Sequence, residues 1–209
     1  MLKVKSIMIV HKFVSSYLLS NSYILEFENC NNVVIIDCGL FENDALIRWL
    51  IKNNKEPSHV FLTHAHGDHF AGINTLKTKY DFKLLATREC ATAIKSTKLN
   101  FTKYIEIFNG GIIIDMDVSI LEDKDKLDLY ENTFHCITTP GHSKGGMCIK
   151  VNDLLFSGDT IIKDVKVRIN KRMGGCHIDF EDSMSKIRNL CEPNCIIYPG
   201  HGELINNFF

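Results

Sequence analysis

The stretch THAHGDH, residues 63–69, packs three histidines and an aspartate into six consecutive positions. It is entered from the apolar run VFL at residues 60–62, so the histidines begin where a short buried strand ends. In extended backbone, residues i and i+2 project to the same side, which lets His64 and His66 grip one ion. Gly67 permits a tight turn. Asp68 and His69 then open a helix and point to a neighbouring position. Imidazole and carboxylate donors suit zinc, with iron and manganese as competitors. Two neighbouring positions suit a pair of ions about 3.5–4 Å apart, the usual spacing in two-metal hydrolytic sites.

Working outward, the same arrangement recurs along the chain. VVIIDCG ends in Asp37, FHCITTPGH in His142, LLFSGDT in Asp159 and CIIYPGH in His201. Each is an apolar run closed by a Gly- or Pro-punctuated turn that carries His or Asp. In α/β folds, ligands gather beyond the carboxyl ends of strands, and rigid strands position functional loops. These turns are therefore expected to converge on one edge of the sheets.

Strands are expected in KSIMIVHKF and NSYILEF, with a turn near Ser20–Asn21, and in FKLLAT, GIIIDM, LDLY and TFHCITT. GGMCIKV and DLLFSGD read as a hairpin around Asn152–Asp153. Helices are expected in ENDALIRWLIKNN, with Ala45, Leu46, Trp49 and Leu50 on its apolar stripe, and in DHFAGINTLKTKY, RECATAIKST and FEDSMSKIRNL. Helices interleaved with strands fit an α/β fold with helices packed outside sheets. Nothing at the boundaries demands a second domain, so residues 1–209 are read as one.

Composition narrows the function classes. The 209 residues carry a net charge of −1, so there is no overall basic surplus for a nucleic-acid partner. Eight cysteines are scattered without framework spacing and read as reduced thiols. The N-terminal MLKVKSIMIVHKF lacks the form of a signal peptide, and no apolar run reaches the ~18 residues of a membrane span. A cytoplasmic protein without a membrane partner is expected. The oligomeric state is not legible.

THAHGDH, TPGHS, FSGDT and YPGHG, in that order, resemble the metallo-β-lactamase superfamily, and within it the glyoxalase II-like hydrolases; the resemblance runs from IIDCG to PGHG. It implies a four-layer αβ/βα sandwich of two mixed sheets, helices outside, with two metals, zinc first, at one edge. It assigns His64, His66 and His142 to one metal, Asp68, His69 and His201 to the other, and Asp159 to a bridge between them. Asp37 supports the metal loops without ligating. The implied reaction is attack by a metal-bound hydroxide on a thioester-like, ester or lactone carbonyl, with Asp68 orienting the nucleophile and taking its proton. The chain ends soon after PGHG, so the C-terminal helical domain of glyoxalase II is not expected. Ala65 stands where flavodiiron relatives of this fold carry an acidic ligand. Alternatives are a mononuclear iron persulfide dioxygenase and a phosphodiesterase or nuclease.

The segment between Asp159 and the last helix holds Lys163, Lys166, Arg168, Lys171 and Arg172 against Asp164. A segment that follows a ligand and runs along the mouth of the site is suited to a small anionic substrate. Arg168 and Arg172 would pair with a carboxylate and Lys171 would add charge. His177 lies close enough in sequence to be a further substrate contact.

Overall fold

The computed structural model describes residues 8–206 and 208. Its first sheet has the order β1 (Met8–Val14), β2 (Asn21–Phe27), β3 (Asn32–Ile36), β4 (Glu56–Phe61), β5 (Lys83–Ala86), β6 (Val118–Ile120). The first three strands are antiparallel, and β3 to β6 run parallel. The second sheet has the order β11-β10-β9-β8-β7, from β7 (Lys126–Leu129), β8 (Asn132–Thr138), β9 (Met147–Val151), β10 (Leu154–Gly158) and β11 (Ile196–Pro199). Only β10 and β11 are parallel there. Both sheets are therefore mixed.

Apolar residues on both faces of the strands build the layers, because a strand buried on two sides cannot alternate with polar residues. Val33 and Ile35 pack outward with Leu46 and Leu50 of α1 (Ala45–Lys52), and with Phe70 of α2 (Gly67–Phe70) and Ile73 and Leu76 of α3 (Ile73–Leu76). Cys90 of α4 (Arg88–Ala93) joins the same cluster. Val34 and Ile36 point the other way, into an inter-sheet core with Tyr23, Phe61, Phe134, Ile149 and Phe156. The far face of the second sheet buries Ile137, Cys148, Leu155 and Ile197 against Ile187 of α5 (His177–Leu190). Helix, sheet, sheet, helix is the expected four-layer sandwich.

Several local expectations change. GIIIDM is not a strand: residues 111–117 have none of its pairing. β6 takes the edge position beside β5. Ile114 is buried all the same, its N–H bonded to the Ile94 carbonyl at 2.9 Å. DHFAGINTLKTKY is two short helices, α2 and α3, split at Ala71–Gly72. The Gly72 N–H bonds the Cys38 carbonyl at 2.9 Å, and a Cβ on Gly72 would lie 2.2 Å from the Gly39 carbonyl oxygen, so the chain presses here on the turn after β3. RECATAIKST shortens to α4. In α1, Ile47 is buried where Ala45 is exposed. Residues 5–7 of KSIMIVHKF lie outside the described residues. The Asn152–Asp153 hairpin forms between β9 and β10. All eight cysteines are free.

The two sheets are stitched where β2 begins and β11 ends. Asn21 N–H donates to the Gly200 carbonyl at 2.6 Å, Asn21 Nδ2 to the carbonyls of Pro199 and Gly202 at 2.9 Å each, and the Tyr23 hydroxyl to the Pro199 carbonyl at 2.6 Å. Ser20 and His201 form an isolated bridge. Among the described residues no helix is long and apolar enough to cross a membrane.

Candidate metal centre

Strand ends deliver the side chains. Asp37 follows β3, the 63–69 loop follows β4, His142 lies between β8 and β9, Asp159 follows β10 and His201 follows β11. His64, His66, His142 and Asp159 bring donor atoms within 4.8 Å of one another, and so do Asp68, His69 and His201. In the first group, His66 Nδ1 lies 3.0 Å from both His64 Nε2 and His142 Nε2. In the second, His201 Nε2 is 3.3 Å from Asp68 Oδ2, and His69 Nε2 is 3.4 Å from His201 Nε2. Asp159 lies between the groups. Its Oδ2 is 3.5 Å from both His142 and His201 and 3.9 Å from His64, and its Oδ1 is 3.4 Å from His69.

Hydrogen bonds behind the donors fix the tautomers. Asp37, held at φ 58, accepts from Thr63 N–H at 2.8 Å, Thr63 Oγ1 at 2.7 Å and His69 Nδ1 at 2.8 Å. His69 Nδ1 therefore carries a proton, which leaves Nε2 as the nitrogen that faces the cluster. Thr63 Oγ1 gives its proton to Asp37 and can accept one from His64 Nδ1, 3.1 Å away, which frees His64 Nε2 in turn. His142 Nδ1 donates to the Arg168 carbonyl at 2.9 Å, which frees its Nε2. Partners of this kind orient metal-ligating histidines and set their basicity.

The arrangement needs cations. Lone pairs of His64 and His142 converge on His66, whose Nε2, like Asp159 Oδ1, is buried with no hydrogen-bond partner among the described residues. Asp37, Asp68 and Asp159 are 2%, 6% and 8% exposed, and among the described residues no lysine or arginine pairs with any of them. Isolated buried carboxylates are costly unless paired or coordinating a metal. Protons show where positive charge is wanted. Burial alone would lower His69, but Asp68, Asp159 and Asp37 raise it to about 9. Burial is likewise outweighed at His201, which hydrogen bonds to Asp159 and Asp68 push up to about 10. Burial and His142 push His66 down to about 4, and burial with His69 and His66 holds His64 well below its usual value. The donor set, three imidazoles and a carboxylate beside two imidazoles and a carboxylate, fits borderline divalent ions.

Two cavities meet at this centre. One of about 190 Å³ is lined by Asp68, Asp159, His201, Asn100 and Arg168 among others. The other, about 510 Å³, is lined by Ala65, Leu99, Lys144 and Arg172 among others. Lys171 and His177 are exposed and line neither cavity. Thr63, Gly200 and Phe101 were missed from sequence. Thr63 stands inside the quoted motif and was legible as a neighbour of His64, whereas nothing local marks Phe101. A Cβ on Gly200 would lie 2.2 Å from Asp159 Oδ1 and 2.8 Å from His69 Cε1. Gly200→Ala is therefore expected to displace the Asp159 carboxylate and weaken metal binding at least tenfold in a chelator competition; unchanged affinity would show that this approach has no consequence.

A two-sheet sandwich with a buried histidine–aspartate centre at its edge defines a class of metal-binding α/β proteins. Residues 17–201 match the Metallo-beta-lactamase superfamily, and the chain belongs to that superfamily. It is 28% identical over 189 residues to hydroxyacylglutathione hydrolase 1 of Vibrio vulnificus (strain YJ016), an alignment that covers 90% of this chain and spans 65% of that protein's length. The BLEG-1 B3 metallo-beta-lactamase structure superimposes with a TM-score of 0.85 at 24% identity, covering 94% of this chain and 93% of that one. TTHA1623 in a di-iron-bound form gives 0.79 at 23% identity, covering 94% of each. These two likenesses are of fold.

Proposed function

We propose that the chain is a dinuclear metal-dependent hydrolase acting on a small anionic thioester, or a related ester or lactone. The observation that carries this reading is Asp159, set between two groups of donors with contacts to both. His64, His66 and His142 would hold one ion, Asp68, His69 and His201 the other, and Asp159 both. Zinc is the first choice on donor chemistry, with iron or manganese as competitors. Such ions supply Lewis acidity and activate water at neutral pH.

The protein's own groups do the rest. Asp68 is the proton acceptor, because Asp159 is enclosed by four imidazoles while the Asp68 carboxylate, among the described residues, pairs with His69 and His201 alone. Asp68 also lines the smaller cavity, where a substrate carbonyl would approach. Arg168 in that cavity and Arg172 in the larger one supply positive charge for an anionic substrate. The likeness to a hydroxyacylglutathione hydrolase supports a thioester, since a glutathione thioester is anionic.

The test is metal titration of metal-depleted protein, followed by a panel of thioesters and lactones. Two equivalents per chain are expected, with activity rising as they bind and lost on chelation. Saturation at one equivalent with all seven donors intact would sink the dinuclear reading.

A further inference from the structure

The larger cavity has its own chemistry. Three residues line both cavities: His66, Phe101 and Met173. The seam between the cavities thus lies at a donor histidine, and everything beyond it belongs to a second compartment. The smaller cavity brings Asp68, Asp159, His142 and His201 together with the apolar Leu18 and Ile105. The larger one is lined by Ala65, Ala93 and Leu99, with Arg88, Glu89, Lys144 and Arg172 supplying charge.

Phe101 is held at this seam against its backbone preference. Its φ is 64° and its ψ −1°, in the left-handed region that bulky residues avoid. A buried clamp fixes it there. Asn100, 1% exposed, accepts from Thr102 N–H at 3.0 Å and from Thr102 Oγ1 at 2.6 Å, and its Nδ2 donates to the Ile112 carbonyl at 2.8 Å. Ile112 N–H returns a bond to Thr102 Oγ1 at 2.9 Å. The clamp is seated on the metal loop itself: a Cβ on Gly67 would lie 2.7 Å from Thr102 Cγ2. The outcome is a phenyl ring 6.2 Å from the His66 ring, at 68° to it, facing both compartments. Strained backbone over-determined by its surroundings and placed beside a site is a mark of function. Met173 lines both compartments as well and supplies an adaptable thioether wall.

We propose that Phe101 is a specificity-determining residue and that the cavity behind it takes an apolar acyl arm of the substrate. The inference rests on the hydrolase reading for the position of the scissile carbonyl at the seam. A volume of about 510 Å³ lies within the range of small-molecule sites, far more than an acetyl group needs. Met173, Leu99 and Ala93 give the arm apolar lining. A medium-length acyl chain can fill it while its carbonyl stays beside His66 and Asp68.

The experiment measures binding and turnover separately. Calorimetry compares octanoate with butyrate on the metal-loaded wild type and on Ala93→Trp, which fills the cavity from α4. Leu99→Glu is the second variant, since Leu99 is 52% exposed and its replacement spares the core. Octanoate is expected to bind wild type at least tenfold more tightly than butyrate, as four extra buried methylenes would allow. Both variants are expected to lose most of that preference, and Phe101→Gly, which suits the positive φ, to narrow it. Octanoyl and acetyl thioesters are then compared by kcat/KM, where the same variants should lower the octanoyl-to-acetyl ratio at least tenfold. Equal binding of octanoate and butyrate to wild type, or a preference that survives in both Ala93→Trp and Leu99→Glu, overturns the proposal. If no thioester is turned over while the calorimetric pattern holds, the hydrolase reading fails and the apolar compartment stands.

Discussion

Asp159→Ala is expected to lower kcat/KM by about 10³-fold, in line with removal of a major electrostatic element of an active site, and to cut the metal content from two ions per chain to at most one. The side chain touches His64, His69, His142 and His201, so its loss withdraws a donor from both groups at once. All four contacts are to imidazoles of the site and, among the described residues, the carboxylate accepts no backbone hydrogen bond, which leaves the strands that carry them unaffected. Circular dichroism should therefore match wild type while elemental analysis does not. Two ions retained in the variant would contradict the shared role of this carboxylate.

Asp37→Asn is expected to have the next largest effect, although Asp37 sits behind the donors. Asparagine tolerates the positive φ at this position, so the backbone is not the variable. Thr63 N–H requires an acceptor at Oδ1, which fixes the carbonyl end of the new amide there. Its NH₂ then faces His69 Nδ1 and donates to it, forcing the imidazole proton onto Nε2. That nitrogen points at Asp68, Asp159 and His201, and with a proton on it His69 can no longer ligate. Affinity for the second ion should fall by about 10–100-fold, the usual effect of losing such a partner. Competition with a chromophoric chelator measures it, and nitrogen chemical shifts of the His69 ring report the tautomer. Wild-type affinity for the second ion would refute the argument.

Much of this was legible in the sequence because it is local. NVVII and the apolar run before His64 declared buried strands, and the polar residue closing each run marked the sheet edge. The layers followed, since apolar residues at consecutive positions can only be covered from both sides. What was not legible depends on distant partners. Ile112 and Ile114 have the composition of a strand, but Asn100 and Thr102 take the backbone groups of Ile112 that a neighbouring strand would need. The break between α2 and α3 comes from the turn after β3, over thirty positions earlier. Phe101 is an ordinary aromatic in the sequence, and its placement depends on a hydrogen-bond clamp that no periodicity records.

The stitching of Asn21 and Tyr23 to the end of β11 bears on the order in which the protein is made. His69 and His201 are 132 positions apart, and Asn21 bonds to a carbonyl 178 positions downstream. A nascent chain that has exposed THAHGDH to the cell holds an incomplete donor set with no second sheet to seat it. The centre closes only after the PGHG segment leaves the ribosome and docks on the first sheet. The group proposed to hold a second ion is thus completed last, and until then the early histidines are open to whichever metal arrives first.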